Sequence, residues 1–330
     1  MKYLVTGAGG FIGGHLVNSL MKQGHEVVCA DIKPIEYWFQ TFEKNENYSL
    51  DLKEYENCLK VTDHIDFVYN MACNMGGMGF IENNKAECML SVLINTNLLR
   101  ACIEKKVKKY FFSSSACVYN AKKQMDVFVP GLKEEDAYPA QPEDGYGWEK
   151  LFSERMCRHF YEDFGLETRV ARYHNVYGTS GTYDGGREKA PAALCRKICL
   201  AKLNKSKEIN VWGDGEQTRS FMFIDDCIEG TQKLFNSDLR DVYNIGSDEQ
   251  VSINQMISII EDIADFKVNR NYQQDKPKGV RGRSSDNFKI SNDLNWTPST
   301  KLKDGLKITY KWINNQIISG ENTNKFTRGY

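Results

Sequence analysis

The stretch Lys2-Tyr3-Leu4-Val5-Thr6-Gly7-Ala8-Gly9-Gly10-Phe11-Ile12-Gly13 decides how this chain is read. Tyr3 to Thr6 is a short apolar run. Phe11 to Lys22 has a helical pattern, with Ile12, Leu16 and Leu20 on one face and Gly24 as a stop. Between them Gly7, Gly10 and Gly13 are spaced GxxGxxG. Glycines at a strand-to-helix turn let the chain reverse sharply, let a ligand approach the backbone, and let helix and strand pack closely. The helix opens with free N–H groups around Phe11, Ile12 and Gly13, which suit a pyrophosphate. Glu26 to Ala30 reads as a second strand, ended by Asp31. A carboxylate there accepts hydrogen bonds from a ribose 2′-OH and repels a 2′-phosphate. Turn and carboxylate together predict a dinucleotide site that takes NAD rather than NADP. Asp51, after a third short strand, is placed near the adenine.

Outward from this unit, strands and helices keep alternating. Phe67 to Asn70, Lys109 to Ser113 and Glu167 to Arg172 read as strands; Val92 to Lys105 and Tyr146 to Phe164 read as helices. Continuous apolar strands separated by helices predict an α/β fold, a doubly wound parallel sheet of Rossmann type. After Arg172 the texture changes. Tyr173 to Pro191 is rich in Gly and Tyr and reads as a functional loop, and Phe221 to Asp225 and Val242 to Ile245 read as strands that rejoin the sheet. Ser252 to Ile263 reads as helical, Lys276 to Asp286 as looped, and the polar end from Asn322 to Tyr330 as frayed. The expected division is an NAD-binding domain over 1–172, with strands from about 217–248 rejoining it. Residues 173–216 and 249–330 are expected to form a smaller C-terminal cap that binds substrate.

The chain has 330 residues, a net charge of −1 and ordinary hydrophobic content, 41%. That is enough for one large α/β unit or two coupled domains. The balanced charge points to neither nucleic acid nor a membrane as partner. The N-terminus is already a strand and lacks the layout of a signal peptide, and no apolar run reads as long enough to cross a bilayer. Ten cysteines without CxxC spacing suggest reduced thiols in a cytoplasmic setting. Cys195 and Cys199, four apart on a predicted helix, read as packing residues, and no metal site is predicted.

Two further motifs carry chemistry. Tyr146 and Lys150 are four apart on a helix and share a face. An ammonium beside a phenol favours the phenolate, which can take a proton from a sugar hydroxyl. Ser113-Ser114-Ser115 ends a strand, and Ser115 is placed to orient that hydroxyl. Together with the glycine turn, these residues resemble the extended short-chain dehydrogenase/reductase family over nearly the whole chain. The resemblance includes Arg172-Tyr173-His174-Asn175-Val176-Tyr177-Gly178, Gly213 to Phe221, and Asn244-Ile245-Gly246. It implies that Asn175 and Arg219 contact the diphosphate of a nucleotide substrate.

Four more stretches resemble the branch of that family that inverts two carbons of a GDP-hexose. They are Asn74-Met75-Gly76-Gly77-Met78-Gly79-Phe80-Ile81, Ser114-Ser115-Ala116-Cys117-Val118-Tyr119, Gly185 to Ala193, and Gly279 to Asn287. The resemblance implies a GDP-sugar substrate, with Cys117 as carbon base and Lys189 as acid. It further implies that Met75, Gly76 and Gly77 line the hexose pocket and that Arg283 holds the diphosphate, with Arg281 close enough to share that role. The chemistry agrees: oxidising C4 to a ketone acidifies the hydrogens on both C3 and C5. A thiol and a buried Lys can both be tuned toward the operating pH. The implied reaction is conversion of GDP-mannose to GDP-L-galactose with no net redox. Three other readings stay open: a nucleotide-sugar 4-epimerase or 4,6-dehydratase, an epimerase of another GDP-hexose or heptose, and an NAD-binding protein without activity. Family analogy adds a homodimer joined through the helices near Val92–Lys105 and Tyr146–Phe164. Two stretches depart from the pattern and are expected at the pocket rim: Asn120 to Phe128, and the aromatic loop Pro34 to Asn47.

Overall fold

The computed structural model describes the chain except for residues 43, 278, 321–323 and 328–330. Six strands run in chain order: β1 (Lys2–Thr6), β2 (Glu26–Asp31), β3 (Glu46–Ser49), β4 (Phe67–Asn70), β5 (Lys109–Ser115) and β6 (Glu167–Tyr173). With Val242–Ile245 they form one seven-stranded sheet, ordered Val242–Ile245, β6, β5, β4, β1, β2, β3. Every pairing in it is parallel. Parallel strands need crossovers, and the helices that supply them cover both faces. The strands are therefore apolar on both sides. Tyr3 and Val5 join the core on one face with Val27, Tyr69 and Phe111. Leu4 joins the opposite core with Val28, Val68, Tyr110 and Phe112.

The chain order reverses between β1 and β4. At such a switch point the crossovers leave in opposite directions and open a crevice beyond the strand ends. Helix α1 (Phe11–Lys22) follows β1 directly into that crevice.

The second half is less regular. The helices Ala190–Leu203, Ile253–Ala264 and Leu302–Ser319 contribute Leu194, Ile198, Ile257, Ile260, Leu306 and Ile313 to the same core as one face of the sheet. Ser252 starts the middle helix with a capping box: its hydroxyl accepts from Gln255 N at 3.0 Å, and Gln255 Oε1 accepts from Ser252 N at 2.8 Å. Cys195 and Cys199 are buried in this packing.

Three expectations change. Val242–Ile245 rejoins the sheet, but Phe221 to Asp225 does not. Met222–Phe223 instead pairs with Val176–Tyr177, and a helix begins at Ile224. This helix presents an apolar face, including Cys227, Ile228 and Leu234, to the core, and that helical spacing overrides the short run before it. The C-terminal stretch is only partly as expected. Asn324–Thr327 forms a helical turn whose Phe326 is buried among Phe39, Tyr183 and Trp312; the rest of Asn322 to Tyr330 lies outside the described residues. Finally, Lys85–Glu104 has the length and hydropathy of a spanning helix, at 20 residues and a mean hydropathy of 1.2. Its apolar residues Leu98, Leu99 and Cys102 pack in the core against the sheet, with Cys157 of Tyr146–Phe164.

Candidate active site

A cavity of about 410 Å³ opens at the switch point. One end is built by the glycine turn. Gly7 has φ +67°, and a Cβ on Gly13 would lie 2.1 Å from the Gly7 carbonyl oxygen, so α1 touches β1 where only hydrogen fits. Gly7, Gly10, Phe11, Ile12 and Gly13 line the cavity, and no side chain caps the helix at Gly10. Asp31 is on the wall, its Oδ2 accepting from Gly9 N at 3.0 Å and its Oδ1 from Lys33 N at 2.9 Å. Burial pushes its carboxyl above the ordinary range, with Lys33 opposing. Asp51 follows on the same wall with Leu50 and Leu52. An uncapped helix N-terminus, a cradle without Cβ atoms and a carboxylate at the end of β2 fit a dinucleotide.

The aromatic loop does not line the far rim. Trp38 is buried, its indole N–H donating to Lys33 O at 2.8 Å, and a Cβ on Gly9 would lie 2.4 Å from that indole. It supports the glycine turn from below.

The other end of the cavity gathers Ser115, Tyr146, Lys189, Met75 and Gly76. β5 delivers Ser115, and the chain then tightens into the turn Ala116–Val118, where Cys117 N donates to Ser115 Oγ at 3.2 Å. Tyr146 and Lys150 come from the first turns of Tyr146–Phe164, and Lys150 Nζ is 5.6 Å from the Tyr146 ring centre. Burial pushes the Tyr146 phenol well up, with Cys73, Cys117 and Glu149 adding and Ser115 opposing by hydrogen bond. Desolvation therefore favours the neutral phenol here. Burial opposes the charge of Lys150 itself, but Cys73 and Glu149 outweigh burial and hold the ammonium protonated.

Cys117 is buried and packs with Tyr146, Cys88 and Ile81. It is off the cavity wall but within electrostatic reach of Lys189, Arg219 and Arg283. Lys189 occupies the N-cap position of Ala190–Leu203, and burial pulls its amine below the ordinary value, with Cys117 opposing.

Five predicted substrate residues lie beyond the cavity wall. Arg283 is buried, donating to Gln124 Oε1 at 2.6 Å, to Glu143, and to Cys117 Sγ at 3.7 Å. Arg281 instead faces outward and pairs with Asp214 at 2.8 Å. That separates the two arginines: Arg283 touches the thiol, and Arg281 braces the 213–215 turn. Arg219 donates to the carbonyls of Thr218 and Val280, and Asn175 to Ser220 O. Gly77 lies against the opposite loop, where a Cβ would be 2.4 Å from Glu188 O.

Residue types alone did not reveal Gln124, Glu143 or the frame behind Ser115. In that frame Glu154 accepts from Arg172 at 2.9 and 2.7 Å and from Ser114 at 2.5 Å, tying the Tyr146 helix to β5 and β6. The only signal for Gln124 was its place in the departing stretch after Tyr119.

A family model described as the NAD dependent epimerase/dehydratase family matches residues 3–246. The chain belongs to that family. Among its relatives, GDP-mannose 3,5-epimerase 1 of Oryza sativa subsp. indica is 48% identical over 318 residues, 96% of this chain and 82% of the relative. GDP-mannose 3,5-epimerase of Arabidopsis thaliana is 46% identical, over 96% of this chain and 83% of that one. Among solved structures, UDP-glucuronic acid 4-epimerase of Bacillus cereus, with UDP-glucuronic acid and NAD, superposes with a TM-score of 0.81 at 28% identity, covering 96% and 99% of the two chains. UDP-glucose 4-epimerase of Thermotoga maritima gives a TM-score of 0.86 at 24% identity, over 96% and 100%, and shows the fold.

Proposed function

We propose that this protein is an NAD-dependent GDP-mannose 3,5-epimerase whose product is GDP-L-galactose. One observation carries the reading beyond family membership. Cys117 packs on Tyr146, and Lys189 reaches the same site from the opposite loop, so a thiol and an amine flank the Ser115–Tyr146–Lys150 set. A plain 4-epimerase has no task for either. The relatives of 48% and 46% identity that carry this activity in their names support the same reading.

Gly7, Gly10, Phe11, Ile12, Gly13, Asp31 and Asp51 hold NAD, which when bound supplies the hydride acceptor for C4 and a positive charge beside Tyr146. Ser115 orients the C4 hydroxyl, and Tyr146 takes its proton and later returns it, with Lys150 steadying the phenolate. With C4 a ketone, Cys117 removes the proton from the adjacent carbon. The Arg283 guanidinium, 3.7 Å away, is a donor for the negative charge that the thiolate carries until it takes the proton. Lys189 delivers a proton to the other face. Its lowered basicity suits a donor that must release a proton near neutral pH. Met75 and Gly76 wall the hexose, while Arg219 and Asn175 hold the diphosphate.

The cap that supplies Lys189 and Arg283 acts as the substrate-binding part, and residues 1–172, with the stretch of about 217–248 that carries Arg219, as the cofactor part. Ten free thiols support a reducing, cytoplasmic setting. Exposed Met89, Leu90, Leu93, Trp148 and Phe152 on two packed helices support a homodimer through that face, which sedimentation at the mass of two chains checks.

The experiment for the function is incubation with GDP-mannose in D2O, read by NMR. Deuterium at both C3 and C5 with inversion is expected. Inversion at C4 alone, or loss of water, would replace this reading with a 4-epimerase or dehydratase.

A further inference from the structure

Arg187 is the best-connected residue at this site for which neither family membership nor the mechanism provides a task. It lies two residues before Lys189, on a loop whose Gly185 and Gly186 have φ +90° and +89°. Such a loop has little stiffness of its own. On its solvent side Arg196 pairs with Asp184 at 3.3 Å and Glu188 at 3.7 Å. On its inner side Arg187 reaches a segment more than a hundred residues away. Its Nη1 donates to Asn74 Oδ1 at 2.9 Å and Met75 O at 2.8 Å, and its guanidinium lies over the Phe80 ring at 3.8 Å. Its carbonyl accepts from Gly77 N at 3.0 Å. The loops touch so closely that a Cβ on Gly76 would be 3.2 Å from Arg187 Cα.

We propose that Arg187 is a positioning residue: it clamps the Gly185–Lys189 loop to the Asn74–Phe80 loop and so holds the Lys189 amine over the hexose site. This rests on the epimerase reading for its consequence, though not for its geometry. Arginine is the residue suited to the task, because a planar guanidinium can stack on a ring and donate in its own plane at the same time, whereas an ammonium cannot. Asn74 and Arg187 themselves line the cavity, and the clamp joins the loop of Met75 and Gly76 to the loop of Lys189, so slack in it displaces Lys189.

The test uses the full-length, NAD-loaded protein and the variants Arg187→Met, Arg187→Lys and Asn74→Ala. Hydrogen exchange needs no substrate. Arg187→Met should speed exchange in peptides covering 74–80 and 184–190 by about tenfold or more, leaving β1 and α1 unchanged. With GDP-mannose, kcat should fall about 100-fold while KM stays within about threefold, since a misplaced catalytic group costs rate rather than ground-state binding. Arg187→Lys should recover part of the loss. Asn74→Ala, which breaks the clamp from the other loop, should show the same local exchange with a smaller loss of kcat, and it carries the test if Arg187→Met does not fold. Unchanged exchange in both segments overturns the clamp. A raised KM with normal kcat and normal exchange also overturns it, by making Arg187 a substrate ligand. A wild-type protein that does not epimerise GDP-mannose refutes the functional reading instead, and hydrogen exchange still decides the clamp.

Discussion

The two ends of the cavity are built in opposite ways. The cofactor end comes from one contiguous unit: β1, the glycine turn, α1 and Asp31 lie within the first 31 residues. Its contacts are mostly backbone, such as the Gly13 approach to the Gly7 carbonyl and the Gly9 N–H on Asp31. The acid–base end is assembled from four distant segments around 75, 117, 189 and 283, joined by side chains. A site built from backbone is rigid and general. One built from side chains on separate loops can change its chemistry while the first stays as it is, which is how one fold serves many reactions.

Four changes test this division, from the largest expected effect to the smallest. Tyr146→Phe removes the proton acceptor that both ends share. Turnover should drop by about 10⁴-fold, the upper range for a general base, with nucleotide-sugar affinity retained in calorimetry. Near-normal turnover would break the ketone mechanism and the comparison with it.

Cys117→Ala strikes only the acid–base end. Solvent-deuterium exchange at C3 and C5 should fall about 10²–10³-fold. The cofactor end should still respond to substrate with the near-ultraviolet absorbance of reduced nicotinamide. If both signals vanish together, the ends are not separable.

Asp31→Ala strikes only the cofactor end. NAD affinity should weaken by about 10–100-fold, the range for hydrogen bonds to a charged group, and NADP affinity should change less. Equal loss for both cofactors, measured by fluorescence titration, would detach Asp31 from the ribose.

The smallest effect is one of pH. Burial holds Lys189 below the ordinary 10.5 of a lysine, so its protonated form is lost at a lower pH than a free amine would show. A donor works only while protonated. Completed inversion should therefore decline on the alkaline side, about tenfold per pH unit, from a midpoint below 10.5. NAD binding should not follow that limb. A limb at or above 10.5 would place Lys189 in solvent.

How much was legible follows the same line. The glycine turn, Asp31, the helical i, i+4 pair Tyr146 and Lys150, and the strand carrying Ser115 are local patterns, and each is where its spacing placed it. The misreadings come from long-range packing. Trp38 and Phe39 looked like a pocket rim, yet they pack under Gly9 and Gly14. Phe326 looked frayed, yet it is buried against Tyr183 and Trp312. Phe221 to Asp225 looked like a sheet strand, yet the apolar stripe of the following helix decided its course.

By itself the sequence determined the parallel sheet and the dinucleotide end, because these depend on periodicity, turn chemistry and motifs readable within short windows. Tertiary structure alone decided that Arg283 rather than Arg281 touches the Cys117 sulfur, that Gln124 and Glu143 hold it there, and that Arg187 binds the Lys189 loop to the Asn74–Phe80 loop. The physical reason is that a hydrogen bond or ion pair depends on a few ångströms in space. Segments more than a hundred residues apart acquire that distance only when the whole core has packed.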